Sequence, residues 1–358
     1  MVPGASQADD PTERKARRVE RWNELQEVPA GYGPSIVTLG NFDGVHAGHR
    51  AVLGEVVTRA RAVGGRAVAI TFDPHPLQVL HPDRAPALIT SLRQRLELMA
   101  STGLDAVLVM EFTRELATWS PREFVERVLV ATLGARTVVV GRDTRFGHRN
   151  SGDVGTLQAL GAELGFAVEV LGDRHPESAD RRWSSSWVRE LLLGGDVADA
   201  AAVLARPHRL AGTVVHGDHR GRELGFPTAN LGEPVEGLVP ADGVYAGWML
   251  RRTLPDSDPD RMLPAAVSIG TNPTFDGESR RVEAYVLDRT DLDLYGEPVA
   301  LELVERLRPT ERFDSVEALV AQMRDDVEAC RRVLGHLVVP GHEQAAGLGA
   351  DDGDTSRG

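Results

Sequence analysis

The chain has 358 residues, which is enough for two domains that each bury a core of their own. Its formal charge of -13 at pH 7 argues against non-specific binding to nucleic acids, which depends on clustered lysine and arginine. No run of about 18 apolar residues occurs, and no apolar leader precedes Arg21, so we expect a cytoplasmic protein with no membrane or nucleic-acid partner.

Cysteine and lysine are almost absent. The one cysteine, Cys330, excludes an internal disulfide and a cysteine-rich metal site. The one lysine, Lys15, lies in the polar N-terminal tail, which excludes a P-loop of the G-x-x-x-x-G-K-[ST] type. A phosphate site must therefore use arginine, histidine, backbone N–H groups and metal ions.

The first half of the chain alternates short β-rich apolar runs with helical patterns. This alternation predicts an α/β domain, a parallel sheet with helices on both faces. The five predicted strands are Ser35–Leu39, Ala67–Phe72, Ala106–Met110, Thr137–Val140 and Ala167–Leu171. Ser120 and Glu123 flank Pro121 as in a capping box, which predicts that a helix begins there.

A glycine-rich loop with two histidines, residues 40–49 (GNFDGVHAGH), follows the first predicted strand. In a parallel sheet, the carboxyl end of a strand and the start of the next helix are a common phosphate-binding point. His46 and His49 are three residues apart, so on a helix that begins near His49 they would share a face and could both hydrogen-bond a phosphate. Taken alone, each histidine could equally cap a loop or helix.

The H-x-G-H string after a strand resembles the signature of the Rossmann-like adenylyl- and cytidylyltransferases. Residues 71–76 (TFDPHP), 141–147 (GRDTRFG) and 184–189 (SSSWVR) extend the similarity, and together they resemble the FMN adenylyltransferase domain of bacterial FAD synthetases. Two positions differ from that family. Ser186 stands where threonine is usual and keeps the hydroxyl, and Thr144 stands where an aromatic flavin contact is frequent.

The resemblance implies that the FMN phosphate attacks the α-phosphorus of ATP and that pyrophosphate leaves. Positioning and charge neutralisation suffice for this step, so no protein nucleophile is required. His46 and His49 are assigned to the α-phosphate, with Mg²⁺ on bridging oxygens. Asp73, His75 and Asp143 are assigned to the flavin side, although His75 could equally be a turn residue between two prolines. The residues assigned to ATP are Gly40, Phe42, Asp43, Gly44, His46, His49, Ser185, Ser186 and Arg189.

Two short helical patterns, Trp187–Leu193 and Val197–Leu204, are predicted to bridge two domains. Beyond Pro207, strands follow one another without helices, which predicts a small antiparallel β-barrel. Its predicted strands are Arg209–His216, Val244–Leu250, Ala265–Ile269, Val282–Leu287 and Val299–Leu307. A closing helix is predicted to run to Leu334, capped by Asp314 with Glu317 three residues on. The predicted segments are a disordered tail over 1–17, a first domain over 18–186, a linker over 187–206, a second domain over 207–338 and a disordered tail over 339–358.

A second glycine-rich loop, residues 216–222 (HGDHRGR), follows the first strand of the predicted barrel. Such a loop could cradle phosphates, although a surface turn would have the same composition. Thr228 and Asn230 follow it and lie on one face of an extended segment. Their hydroxyl and amide oxygens are hard ligands that suit Mg²⁺.

Residues 225–230 (GFPTAN), together with 243–245, 268–275, 282–283 and 291–296, resemble the riboflavin kinase domain. The resemblance implies that Thr228 and Asn230 bind nucleotide and magnesium, and that Glu283 is the base for the riboflavin 5′-hydroxyl. A hydroxyl is a poor nucleophile at neutral pH, so a carboxylate that accepts its proton is needed. Arg308 and Phe313 are assigned to the flavin wall, although Phe313 could equally be a core residue. The residues assigned to ATP in this domain are Gly217, Arg220, Gly221, Arg222, Thr228 and Asn230.

The combined resemblance is to the bacterial bifunctional riboflavin kinase/FMN adenylyltransferases. It implies that riboflavin and ATP give FMN and ADP, and that FMN and ATP then give FAD and pyrophosphate. Three alternatives stay open: a lone nucleotidyltransferase with a regulatory barrel, a flavin or nucleotide sensor without turnover, and a zinc site formed by His46, His49 and His75. Asn230 and Glu283 argue against the first two, and co-purified zinc would mark the third.

Overall fold

The computed structural model describes residues 19–172, 181–217, 224–274 and 277–335. The predicted tails, residues 1–17 and 339–358, lie outside these ranges. So do Arg220, Gly221 and Arg222 of the second glycine-rich loop.

The N-terminal part is built on a six-stranded parallel sheet with the order β1-β4-β3-β2-β5-β6. Its strands are β1 (Glu20–Trp22), β2 (Ser35–Leu39), β3 (Arg66–Asp73), β4 (Ala106–Glu111), β5 (Ala135–Gly141) and β6 (Ala167–Leu171). The five predicted strands are confirmed. The additional strand β1 has only three residues and pairs with β4 at the sheet edge, so its sequence is too short to carry a period-2 signal.

Helices cover both faces of this sheet, as predicted. They are α1 (Ala47–Ala62), α2 (Pro76–Leu80), α3 (Leu92–Ala100), α4 (Pro121–Phe124), which continues as a π-helix over Val125–Thr132, and α5 (Val154–Leu164). The neighbouring residues Ile36 and Val37 of β2 point to opposite faces: Ile36 packs in the core with α1, and Val37 packs in the core with α4 and α5. In the part of the chain that the structure describes, no helix is long and apolar enough to cross a bilayer.

The bridge consists of helices α6 (Ser185–Gly194) and α7 (Val197–Leu204), and it belongs to the core of the barrel. Leu192 and Val203 are buried in the same cluster as Tyr245, Met249 and Leu301 of the barrel interior. The two helices therefore pack against the barrel interior, and this apolar contact fixes their position.

The C-terminal part is a closed antiparallel barrel with the order β10-β11-β8-β7-β12-β9, which confirms the predicted architecture. Its strands are β7 (His208–Val215), β8 (Thr228–Leu231), β9 (Gly243–Arg251), β10 (Met262–Thr274), β11 (Gly277–Val286) and β12 (Pro298–Arg308). The short strand β8 was predicted only as an extended segment. It pairs with both β7 and β11, and so completes the closure that leaves no exposed sheet edge.

A final helix, α8 (Val316–Gly335), packs on the outer face of the barrel. Its residues Val327 and Cys330 are buried against Ala246 and Trp248 of β9. The predicted cap at Asp314 is wrong, because the hydroxyl of Ser315 accepts the hydrogen bond from the backbone N–H of Ala318 at 3.1 Å. Serine caps helices as well as aspartate does, and Ser315 is the residue adjacent to the first turn.

The two parts meet across a polar contact between α3 and the loop after β8. Arg93 donates three hydrogen bonds to the carboxylate of Glu236, at 2.8, 2.9 and 3.2 Å, and the hydroxyl of Ser91 donates a fourth at 2.6 Å. A second ion pair joins Arg252 to Glu97 at 2.7 Å. Charged groups thus hold the sheet domain against the barrel, in addition to the apolar contact of the bridge.

Two adjacent leucines of α6 provide a matched test of this packing. Leu192 is fully buried, whereas Leu193 is 57% exposed. We expect Leu192→Ala to lower the free energy of unfolding by about 2–5 kcal/mol, because it leaves a cavity in the core shared with the barrel. Leu193→Ala should change it by less than about 0.5 kcal/mol. Chemical denaturation measures both, and equal effects would contradict the buried position of the bridge.

Candidate active sites

The glycine-rich loop between β2 and α1 has a strained backbone. Phe42 and Val45 have φ angles of 49° and 39°, and Gly44 between them has 78°. Glycine adopts this left-handed region freely, but a residue with a bulky or β-branched side chain does so at a cost of about 1–3 kcal/mol. Contacts from outside the loop must therefore impose its conformation.

The carboxylate of Asp43 is the main contact of this kind. Asp43 is only 2% exposed, and its oxygens accept hydrogen bonds from the backbone N–H groups of Ile89 and Thr90, each at 3.1 Å. They also accept from the Thr90 hydroxyl at 3.2 Å and from the Arg189 guanidinium at 2.5 Å. A buried carboxylate with these four donors is fully compensated, and it anchors the loop to α6 and to the segment before α3.

The backbone carbonyls of the same loop are also held from outside. The hydroxyl of Ser185 donates to the carbonyl of Asp43 at 2.8 Å. The guanidinium of Arg206 donates to the carbonyl of Gly44 at 2.7 Å and to that of Val45 at 3.4 Å. Three consecutive carbonyls are thus fixed by groups from the bridge.

His46 and His49 lie together at the end of this loop. Helix α1 begins at Ala47 and not near His49, because the His46 ring caps it: Nδ1 accepts the backbone N–H of His49 at 3.3 Å. The two rings are stacked, with centroids 3.7 Å apart. Because His46 Nδ1 is an acceptor, the proton of the neutral ring resides on Nε2, which is then a donor.

Both imidazoles are held in the neutral form. Burial lowers the pKa of His46 to about 4, and the nearby cations Arg182 and Arg206 act in the same direction. Burial and the neighbouring His46 ring place the pKa of His49 well below its usual range. Two neutral N–H donors side by side can bind a phosphate oxygen without a proton being transferred first.

A cavity of about 1120 Å³ opens beside the two histidines. Eight of the residues predicted for the first site line it: Gly40, Phe42, His46, His49, His75, Asp143, Ser185 and Ser186. The described wall does not include the other four predicted residues, which are Asp43, Gly44, Asp73 and Arg189. Asp43 and Arg189 bind each other behind the loop, so they support the site from outside the cavity.

His75 caps a helix and also lines the cavity, and its assignment to the flavin side stays a prediction. Its Nδ1 lies 3.2 Å from the backbone N of Leu77 and caps α2, together with the side chain of Gln78. Its Nε2 lies 3.1 Å from the side-chain nitrogen of Asn41, at the cavity wall. Burial lowers the pKa of His75, so its ring is also neutral.

The sequence reasoning missed the charge of the cavity wall. Four arginines line the cavity, whereas Asp143 is the single carboxylate among its described residues and is paired with Arg182 at 3.0 Å. The arginines are Arg114, Arg145, Arg149 and Arg182. In a chain with net negative charge, this local excess of cations favours anionic ligands. The near absence of lysine was the one available signal, since it leaves the arginines to bind phosphates.

Aromatic side chains form another part of the same wall. They are Phe72, Phe112, Trp119, Phe124, Phe146 and Trp183. Their faces provide an apolar surface for a planar ring system. In the described part of the chain, the buried Nε1 of Trp183 and Nδ1 of His49 have no hydrogen-bond partner, so both atoms can take one from a ligand or water.

The second site lies on the outer face of the barrel, where β8 and β11 pair. Glu283 is directly opposite Asn230, and Tyr285 is opposite Thr228. Alternate residues of paired strands share a face, so these four side chains point outward while Ala229 and its neighbours on that strand pair fill the core. The Thr228 hydroxyl lies 3.4 Å from the carboxylate of Glu283.

The backbone of the second glycine-rich loop passes close to this cluster. A Cβ atom on Gly217 would lie 2.4 Å from the side-chain nitrogen of Asn230, so a larger residue there would displace the Asn230 amide. Ser268 is a neighbour that the sequence reasoning missed: it is exposed and lies opposite Glu283 on β10. The register of the strands, and not the spacing along the chain, brings Ser268 to the site.

A residue of α8 holds the guanidinium of Arg308 in place. The carboxylate of Asp326 is 6% exposed and accepts two hydrogen bonds from Arg308, each at 2.8 Å. This pairing raises the pKa of Arg308 above its usual value. Its guanidinium lies 5.7 Å from the ring centroid of Phe313, which is half-exposed and outside the hydrophobic clusters of the described residues.

No zinc site is supported. The described residues contain no group of three or more His, Cys, Asp or Glu side chains arranged to hold a metal ion. His46, His49 and His75 are instead involved in ring stacking and helix capping.

Comparison with known proteins agrees with the division of the chain into a sheet domain and a barrel domain. The model of the FAD synthetase family matches residues 30–186, and that of the riboflavin kinase family matches residues 204–334. The bifunctional riboflavin kinase/FMN adenylyltransferase of Escherichia coli (strain K12) is 36% identical over 301 residues, which are 84% of this chain and 93% of the relative. The chain belongs to the bifunctional riboflavin kinase/FMN adenylyltransferase family.

Further relatives carry the same name. The Listeria monocytogenes protein is 35% identical over 320 residues, which are 89% of this chain and 96% of the relative. A solved structure titled as a macrolide-efflux protein from Streptococcus pneumoniae aligns with a TM-score of 0.77 and 30% identity, over 87% of this chain and 98% of the other. That title applies to the other protein, and the likeness extends over both domains of the riboflavin kinase/FMN adenylyltransferase described here.

This membership establishes the activities. The protein is a transferase with riboflavin kinase and FMN adenylyltransferase activities, and it uses ATP as co-substrate. Riboflavin, FMN and FAD are its substrates and products. The lone nucleotidyltransferase and the sensor without turnover are therefore excluded.

Proposed function

We propose that FMN is formed on the outer face of the barrel and FAD in the cavity of the sheet domain. The observation that carries this assignment is the β8–β11 register, which places Glu283 beside Thr228 and Asn230. We further propose that the adenylyltransferase domain spans residues 18–186 and the kinase domain 207–338, with residues 187–206 as the bridge.

Glu283 acts as the base of the kinase reaction. Its carboxylate accepts the proton of the riboflavin 5′-hydroxyl while the hydroxyl oxygen attacks the γ-phosphorus of ATP, and ADP leaves. Arg308 and Phe313 lie at the flavin side. Because Asp326 fixes the guanidinium of Arg308, that wall is rigid before the flavin binds.

The donor set beside Glu283 fits a magnesium ion. Thr228 and Asn230 offer a hydroxyl and an amide oxygen, which are the hard ligands that Mg²⁺ takes in small number when it binds nucleotide phosphates. When bound, the ion would neutralise charge on the transferred phosphoryl group. Gly217 leaves room for the loop to approach, and the phosphate-binding roles of Arg220, Gly221 and Arg222 stay predictions.

In the adenylyltransferase cavity, His46 and His49 donate hydrogen bonds to the α-phosphate of ATP. The FMN phosphate attacks the α-phosphorus in line with the departing pyrophosphate, and charge develops on oxygens that the two neutral imidazoles face. Ser186 and the N-terminus of α6 hold the triphosphate. Asp143 and His75 lie at the flavin side of the cavity.

Asp43 and Arg189 are better understood as supports than as ATP contacts. Their mutual pairing behind the loop fixes the backbone that carries His46. We also propose a cytoplasmic location, since a single buried reduced cysteine suits a reducing compartment.

A time course with riboflavin, ATP and Mg²⁺ tests the assignment of two sites in sequence. We expect FMN to appear first and FAD to follow, because the product of the barrel site is the nucleophile of the cavity site. Chromatographic separation of the flavins measures this. Without Mg²⁺ neither product should form, and undiminished formation in excess chelator would contradict the metal role.

Glu283→Gln tests the base. It keeps the shape of the side chain but cannot accept the hydroxyl proton, so FMN formation should fall by about 10²–10⁴-fold. FAD formation from supplied FMN should be unchanged. Glu305→Gln, on the exposed face of β12, is the matched control and should leave both rates intact. Parallel loss of both activities in Glu283→Gln would refute independent sites.

The double variant His46→Ala, His49→Ala tests the cavity site. It removes the donors to the α-phosphate, so FMN should accumulate and FAD formation should fall by about 10²-fold or more. The kinase activity of the same chain serves as the internal control. Undiminished FAD output would show that the histidines have another role.

A further inference from the structure

Arg206 is an unusual residue at the junction of the two domains. It is half-buried, and in the part of the chain that the structure describes its guanidinium donates to the carbonyls of Gly44, Val45 and Leu204. Burial lowers its pKa to about 10. Desolvating a cation is costly when carbonyls, and no carboxylate among the described residues, are its bonded partners, so this position points to a use for the charge and for the fork of donors.

The position of Arg206 is set by the barrel. It follows α7, whose C-cap Ala205 has a left-handed φ of 55°, and it precedes the first barrel strand by one proline. Strand β7 then pairs with β12, and the buried His208 hydrogen-bonds the carbonyl of Leu238 at 2.7 Å. Arg206 therefore moves with the barrel and not with the sheet domain.

The other end of the Arg206 contact is the strained part of the adenylyltransferase loop. Gly44 and Val45 both have positive φ angles and directly precede His46. If their carbonyls were released, the strain at Val45 could relax by rotation of the same peptide units that position the His46 ring.

We propose that Arg206 is a positioning residue for adenylyl transfer, by which the kinase barrel holds the α-phosphate donors of the other domain in place. This inference rests on the proposed role of His46 and His49. FAD formation then depends on the docked barrel even though no described residue of the barrel lines the cavity.

The experiment compares Arg206→Met with Arg206→Lys in the full chain. Methionine keeps an unbranched, flexible side chain and removes the charge and the donors to the loop carbonyls, so kcat for FAD formation from supplied FMN should fall by about 10–100-fold, as for a small misplacement of reacting groups. KM for ATP should change less, and FMN formation should stay within about twofold. Lysine restores the charge but not the fork, and should recover part of kcat.

Arg93→Met is the matched control. It removes the domain-interface contact of Arg93 with Glu236 and does not touch the loop, so FAD formation should be retained. Equal loss of FAD formation in Arg93→Met and Arg206→Met would overturn the specific role of Arg206. Unchanged kcat in folded Arg206→Met would overturn it as well.

A spectroscopic measurement distinguishes positioning from a general loss of stability. NMR titration of the His46 ring should show its pKa rise in Arg206→Met, because one of the cations that lower it is gone, and fall back in Arg206→Lys. A global unfolding effect would move all histidines together and lower both activities, which would contradict the proposal. Failure of the underlying assignment is visible separately, since the double variant of His46 and His49 would then still form FAD.

Discussion

The buried carboxylate of Asp43 is the interaction on which the adenylyltransferase site depends. A charge removed from water must be compensated, and here the compensation comes from two backbone N–H groups, the Thr90 hydroxyl and the guanidinium of Arg189. These donors belong to segments that are distant in the sequence. The loop can satisfy Asp43 only when α6 and the start of α3 are in place, so the strained turn that carries His46 forms together with the tertiary structure. The fold therefore positions the His46 ring before any ligand binds.

On the proposed assignment, the two sites differ because their nucleophiles differ. A flavin phosphate is already an anion, so the cavity needs neutral donors and cations, and His46 and His49 are kept unprotonated by burial. A ribityl hydroxyl must lose a proton, so the barrel presents Glu283 within reach of hard oxygen ligands. A rigid cavity suits the first task, and the outer face of a closed barrel, where strand register fixes neighbouring side chains, suits the second.

Helices and strands with a long apolar pattern could be predicted from the sequence. Site residues could be predicted only as members of contiguous motifs, without their positions relative to one another. The strands β2 to β6 and most barrel strands were predictable because each carries several apolar residues, in a run or in alternation, whereas β1 has three residues and is set by its pairing with β4. A motif does not say which of its residues line a cavity, and of those assigned to ATP the structure leaves Asp43 and Arg189 outside the described wall, paired with each other. The arginines of the cavity come from three separate segments, and only the fold brings them together.

The charge of the cavity gives the order of the two reactions a physical basis. Riboflavin is uncharged, whereas FMN carries a phosphate of about two negative charges near neutral pH. On the proposed assignment, four arginines against one carboxylate in the described wall attract the phosphorylated flavin more than its uncharged precursor. Phosphorylation at the barrel thus creates both the nucleophile of the second reaction and the group by which the second site recognises its substrate.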